Sequence, residues 1–407
     1  MSERLKHFLK ISGFAGVTVL LALAIYIVFF RPSPAEAPVE TPDDGTPATG
    51  LPSSGVGGER GGEAAEGETD ANGERLLPSQ VADGGETFTT LLTTSAVTSP
   101  TTTENGTVAY YDPADGRFYT IDDEGNVIML SRTQFPEATS VVFAPFATAA
   151  VIEFPDGSNV VYDFAAASQA TLPTHWEEFS FTADGVQIVG KSIGTDPSNR
   201  ALVVSSIDGS STEVIASIGE NSDKIDVNVA PGNAIVGFSR TGGAQNAFGR
   251  QEIYLIGMDG EASGVLIVDG SNFEGIWDPN GSHLLYSVAD PGDSYRPALW
   301  YVDSRGDRRG DVRLKLGIKT TVEKCTFASE TTIFCAVPRE VPAGSGSAIA
   351  TIDSPDDLYA VSTSTGRATL AAIPAADTQM FNLSVSSDGS ILFYTDGQGR
   401  LNSIKLQ

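Results

Sequence analysis

Seven times along this chain a tight turn is followed by an apolar run, and that repetition restricts the fold more than any other feature. After Trp277 stand Asp-Pro-Asn-Gly and SHLLYSV; after Val385, Ser-Ser-Asp-Gly and SILFYT. Phe181 is followed by Thr-Ala-Asp-Gly and VQIVG, and Val229 by Ala-Pro-Gly-Asn and AIVGF. Phe143 is followed by Ala-Pro-Phe-Ala and TAAVIEF, and Phe327 by Ala-Ser-Glu-Thr and TIFCAV. A weaker copy begins at Thr102 with Thr-Glu-Asn-Gly and TVAYY. The anchors 102, 143, 181, 229, 277, 327 and 385 are 41, 38, 48, 48, 50 and 58 residues apart. A period of that length, holding several short strands, is the signature of radially repeated antiparallel sheets, a β-propeller.

The chemistry of one repeat agrees. Asn, Asp, Gly and Pro reverse the chain between two strands. The strand after the turn is apolar at consecutive positions, as in HLLYSV and TIFCAV, so it is buried on both faces. ALWYVD (298–303), EIYLIGMDG (252–260) and DLYAVSTSTG (357–366) alternate more and read as half-exposed third strands. GVLIVD (264–269) reads as a fourth. The last repeat stops at RLNSIKLQ, one strand short, while ETFTTLLTT (86–94) is β-prone and otherwise unassigned. Pairing the two would close the ring and remove an open sheet edge. The expectation is an all-β, seven-bladed propeller over residues 86–407, with six blades as the alternative if 95–130 is irregular.

The pattern WDPNGSHLLY followed by ALWYVD resembles the WD40-like repeats of TolB-type propellers, and also the propeller domains of prolyl-oligopeptidase-type enzymes. The resemblance covers about 100–407. It implies architecture, with protein–protein binding as the usual role, and a prokaryotic envelope as the setting. TolB-like proteins usually carry an α/β domain before the propeller; here a different segment stands there, so the TolB cellular role does not transfer.

That segment opens with an uncharged apolar run, Ile11 to Phe30, of the length needed to cross a bilayer as a helix. Arg4, Lys6 and Lys10 precede it and acidic sequence follows, which places residues 1–10 in the cytoplasm and the rest outside. A cleaved signal peptide is the competing reading, opposed by Pro38 after the Ala35-Glu36-Ala37 match. The expectation is a signal-anchor: a cell-membrane, single-pass protein with its propeller extracytoplasmic. Residues 31–85 are rich in Pro, Gly, Glu, Thr and Ala, too poor in apolar groups to recover their ordering entropy, and read as a disordered linker.

With 52 acidic against 25 basic residues the formal charge is −27, which argues against a nucleic-acid partner. Catalytic motifs are lacking: there is no G-x-S-x-G, and His7, His175 and His283 have no metal-ligand spacing. DPADG (112–116), DDEGN (122–126) and DPGDS (290–294) miss the calcium-loop pattern and suit ordinary turns. No metal, cofactor or catalytic residue is therefore assigned. His283 itself aligns with Gln187, Ile235, Ile333 and Ile391 of other copies, which makes it a strand residue rather than a ligand. Cys325 and Cys335 lie in one hairpin; with Ser329-Glu330-Thr331 as the turn they face each other. Either they form a disulfide, as an oxidising compartment would allow, or they are two small buried side chains.

In a four-stranded antiparallel blade, the turns after the second strand and those between blades share one face of the disc. The second-to-third loops here are long and varied: 192–201, 240–250, 288–297 and 338–357. Variable loops on a rigid scaffold are where binding resides. That face is expected to carry Trp176, Arg240, Phe248, Arg250, Tyr295, Arg296 and Arg339, residue types enriched at interfaces. The expected function is a membrane-tethered binding or scaffold module for a protein, peptide or envelope polymer. The alternatives are a cell-surface glycan hydrolase or lyase using the funnel, and a purely structural display module.

Overall fold

The turn after each first strand shows how sequence becomes blade. In the copy at Trp277, Gly281 takes a left-handed conformation (φ 69°) and its N–H donates to Asp278 O at 2.9 Å. The buried Asp278 carboxylate accepts from the N–H groups of Ser282 and His283, so the turn supplies its own cap. In the copies that lack Asp-Gly, Asn233 (φ 55°) and Ala147 (φ 56°) occupy the same left-handed position with the same hydrogen bond. Asn does so readily and Ala at a cost of about 1–2 kcal/mol, which explains why the repeat blurs there while the geometry persists.

In a computed structural model of the chain, the structure describes residues 77–122, 125–245, 249–348 and 352–407. These residues form seven sheets, each built on four antiparallel strands, the seven blades of a propeller. Blade 1 holds Thr98–Thr102, Val108–Asp112, Arg117–Ile121 and Val127–Met129, so 95–130 is regular and the six-bladed alternative falls away. Blade 2 runs from Ser140–Phe143 to Ser168–Leu172, and blade 3 from Trp176–Phe181 to Thr212–Ser217. Blade 4 pairs Ile225–Val227, Ile235–Ser239, Arg250–Gly257 and Ala262–Asp269. Blade 5 pairs Ser271–Trp277, His283–Asp290, Arg296–Asp303 and Leu314–Lys315. Blade 6 begins with Cys325–Ser329 and Thr332–Pro338, and blade 7 with Phe381–Val385 and Ile391–Thr395. First strands of neighbouring blades contact one another around the axis, so they are the innermost strands.

Second strands are buried almost throughout, as their unbroken apolar runs require: His283–Asp290 has six consecutive buried positions. Each of the seven seams between adjacent blades holds its own apolar cluster. The third strand of blade 5 departs from the expected half exposure. Leu299 and Tyr301 face one cluster and Ala298 and Val302 another, so both of its faces are covered.

The ring closes with Thr90–Ala96 as the fourth strand of blade 7, hydrogen-bonded to Arg400–Lys405. The segment 86–94 does not act as one strand, however. Glu86 and Thr87 pair in parallel with Ile373 and Pro374 on the outer edge of blade 6, and the chain then crosses to blade 7. Order also starts before residue 86. The N–H of Ala82 donates to Lys405 O at 2.9 Å and that of Gly84 to Ala371 O at 2.8 Å, so the end of the expected linker lies along blades 6 and 7. Its composition hid this, because the segment is held mainly by main-chain bonds, with Ala82 as its apolar contact to the blade 6 and 7 cluster. The predicted cytoplasmic tail, the apolar run 11–30 and linker residues 31–76 lie outside the described residues. Among the described residues no helix is long and apolar enough to cross a membrane.

Candidate functional site: the loop-face cleft between blades 4 and 5

The long second-to-third loops emerge on one face, and they bring three of the seven expected residues together. Arg240 directly follows the second strand of blade 4, Arg250 begins its third, and Tyr295 lies in the corresponding loop of blade 5. All three line one cleft of about 550 Å³, with Gln251, Ser271 and Asn272. The blade 5 loop is shaped by Asp290, whose side chain accepts from the Gly292 N–H at 2.7 Å and whose carbonyl accepts from the Tyr295 N–H at 2.8 Å. Ser294 and Tyr295 take left-handed conformations (φ 53° and 56°) and leave the Tyr295 ring exposed at the rim.

Both cleft arginines are anchored by one edge. Arg240 Nη2 donates to Asp226 Oδ1 at 2.8 Å and to Asp223 O at 3.1 Å. Arg250 Nε donates to Asp269 Oδ1 at 2.6 Å, and Arg313 Nη1 shares that carboxylate at 3.1 Å. Arg296 and Arg339 share the face but not the cleft. Arg296 donates to Val341 O and Asp293, and Arg339 to Asp357 and Asp377, so both fasten loops. Phe248 lies outside the described residues.

Trp176 is a correction. It is 6% exposed and packs with Leu172, Phe179 and Ile188 in the seam of blades 2 and 3, an anchor rather than a surface hot spot. The inter-blade position that suggested a loop residue is the first position of an inner strand, where a large apolar ring fills the seam. Cys325 and Cys335 stand directly opposite in the blade 6 hairpin and are joined by a disulfide. The WDPNGSHLLY turn lies on the opposite face of the disc. There His283 stacks on Tyr301 at 4.8 Å and its Nδ1 is 3.2 Å from Asp278 Oδ2, a closed turn-stabilising set.

A second feature was not visible in the sequence. Inner strands of blades 1, 3, 5 and 7 break register near their loop-face ends, with Ser99, Glu178, Asn272 and Asn382 at positive φ (50°, 57°, 54° and 50°). Such bulges re-aim side chains. Ser99 Oγ reaches Val141 O on the next inner strand, and Glu178 accepts the Val227 N–H at 2.9 Å while pairing with the buried Lys191. Glu178, Asp226, Glu274 and Glu323, on or beside the inner strands of blades 3 to 6, lie near enough for Glu178 to act on Asp226 and for Asp226 and Glu323 to act on Glu274. Glu274 is pushed up to about 7, chiefly by the surrounding protein and then by Glu323 and Asp226, with Arg240 opposing. Asp226 is raised by burial, and Arg240 pulls it back. Nothing in the sequence marks these carboxylates among 52 acidic residues; only the bulges and the ring assemble them.

The fold and this face define a seven-bladed propeller with a polar cleft between two blades. No family model matches the chain, and no curated protein matches it by sequence. Solved structures match by shape. An oligogalacturonate lyase in complex with manganese superposes with a TM-score of 0.55 at 14% identity, over 81% of this chain and 97% of that one. The β-propeller domain of Cps50 (Swd1) from Myceliophteria thermophila gives 0.53 at 12% identity, over 78% of this chain and all of that one. At such identities the likeness concerns the fold alone.

Proposed function

We propose that this protein is a binding module rather than an enzyme: a TolB-like propeller, tethered to the membrane through residues 11–30, that holds a protein or an envelope polymer on its loop face. The observation that carries the reading is the cleft of about 550 Å³ between blades 4 and 5, where Arg240, Arg250 and Tyr295 meet. Its size suits a ligand segment, and Arg and Tyr are residue types that dominate interface energetics. Tethering rests on the apolar run and its basic flank. The Cys325–Cys335 bond is in keeping with an oxidising compartment outside the cytoplasm.

A catalytic reading would draw on the four carboxylates around Glu274. Two of the four already serve as ion-pair partners, Glu178 to Lys191 and Asp226 to Arg240. Binding is the reading we favour, because the loop-face cleft gathers residue types that recognise partners, whereas half of the carboxylate group is already engaged in ion pairs. The test fills the cleft. Ser271→Trp places an indole inside it without touching an ion pair. Detergent-solubilised full-length protein, immobilised and exposed to envelope extract, should lose its captured partner on this substitution. Capture of the same partner in equal amount by the variant would remove the cleft from the function.

A further inference from the structure

The charge around the cleft runs against the charge of the chain. Among the described lining residues the charged ones are Arg240 and Arg250, with no carboxylate. The chain has 52 acidic and 25 basic residues, so a cleft charged only by arginine is not what its surface would supply by chance. The surrounding ion pairs carry the same bias. Arg240, Arg250, Arg296, Arg313, Lys315 and Lys319 share four carboxylates, Asp226, Asp269, Asp290 and Asp293. Asp269 serves Arg250 and Arg313 together, and Asp293 serves Arg296 and Lys319 together. Within these ion pairs alone, six cations share four carboxylates, so two of the carboxylates are each divided between two cations.

The arginines are also held as receptors are. Asp226 and Asp269 each bind one edge of a guanidinium, which fixes its plane while leaving further N–H donors on the other edge. A fixed guanidinium loses less conformational freedom when it accepts a carboxylate in its fork. Between the two stand amide and hydroxyl groups, Gln251, Asn272 and Ser271, with the exposed Tyr295 ring at the rim. Arginine, tyrosine and neutral polar groups together make a peptide-recognising surface.

We propose that the cleft between blades 4 and 5 recognises an acidic peptide segment, whose side-chain carboxylates engage Arg240 and Arg250. This rests on the cleft being the binding site and adds the chemical class of what enters it. The acidic character of the rest of the surface serves the same selection. The chain's large net negative charge disfavours non-specific contact with an acidic partner, so the cleft arginines supply the local attraction.

The experiment is a titration of full-length protein with a fluorescent glutamate-rich peptide and its glutamine counterpart, read by anisotropy at low and at physiological salt. The glutamate peptide should bind at least ~10-fold tighter than the glutamine one, with the gap narrowing as salt rises. Arg240→Gln with Arg250→Gln should erase the gap. A control removing two exposed cations elsewhere, Arg132→Ala with Lys405→Ala, should keep it. Equal binding of the two peptides, or binding of neither, overturns the proposal. So does arginine-dependent binding of a uronate oligosaccharide with no response to either peptide. If Ser271→Trp still abolishes partner capture while the peptides are not distinguished, the cleft remains the site and only its acidic specificity is lost. If both fail, the cleft itself is wrong.

Discussion

Glu274 shows how much a residue owes to its surroundings. The residue keeps an exposed surface, yet partial burial of its carboxyl and then the charges of Glu323 and Asp226 favour its neutral form. The folded-state value is about 7 against 4.5 when unfolded, so the folded protein holds the proton more tightly across that interval. The stability this contributes is present below about pH 4.5 and is lost as pH rises through about 7. Glu274→Gln should therefore raise the thermal midpoint at pH 8 and leave it unchanged near pH 4. A midpoint gain of equal size at both pH values would remove titration as the cause. No pattern in the sequence picks out Glu274; its neighbours come from blades 4 and 6.

At the scale of elements, the seam between blades 6 and 7 turns on one buried ion pair. Lys324, just before the first strand of blade 6, lies 2.6 Å from Asp356 at the start of the third, and both are almost fully enclosed. Asp356 Oδ2 also accepts the Met380 N–H at 2.6 Å, and the ammonium sits 4.7 Å from the Phe381 ring centroid, so blade 7 is tied in too. Burial lowers Lys324 and raises Asp356, each opposed by its partner. Asp356 Oδ1 has no hydrogen-bond partner among the described residues, so the carboxylate is already under-compensated. Lys324→Met should cost about 3–5 kcal/mol, because it strands that charge. Adding Asp356→Leu should restore stability to within ~1 kcal/mol of wild type. Urea unfolding of the four proteins in this cycle measures the coupling, and strictly additive losses would contradict it.

For the whole molecule, closure is the decisive contact. Thr90–Ala96 and Arg400–Lys405 are far apart in sequence but adjacent in blade 7, and Leu401 N–H donates to Thr93 Oγ1 at 2.9 Å. The preceding residues clasp the edge of blade 6 through Glu86 and Thr87. Removing residues 77–96 should leave blade 7 with three strands and an open edge. We expect the melting curve, followed by circular dichroism, to be broader than that of the intact protein or to split. An unchanged transition would mean that the ring is held by the blade seams alone.

The blades were legible because a turn and a doubly buried strand are local facts. WDPNGSHLLY fixes a reversal by its own hydrogen bonds and an inner pair by its own apolar run, whatever the partner. The loop face was legible too, since topology sends the varied 240–250 and 288–297 loops to the same side. What the sequence could not say is which residues of that face meet. Trp176 and Tyr295 are both aromatic and both near strand starts, yet one fills a seam and the other stands at the rim of the cleft. Arg240 and Arg339 read alike, but only Arg240 lines the cleft, whereas Arg339 on blade 6 is spent on Asp357 and Asp377. Sequence determined the repeat, the turns and the closing strand, all set by short-range sterics and burial. Tertiary structure alone decided the cleft and the group of carboxylates, since each is made of groups from neighbouring blades that only ring closure brings together.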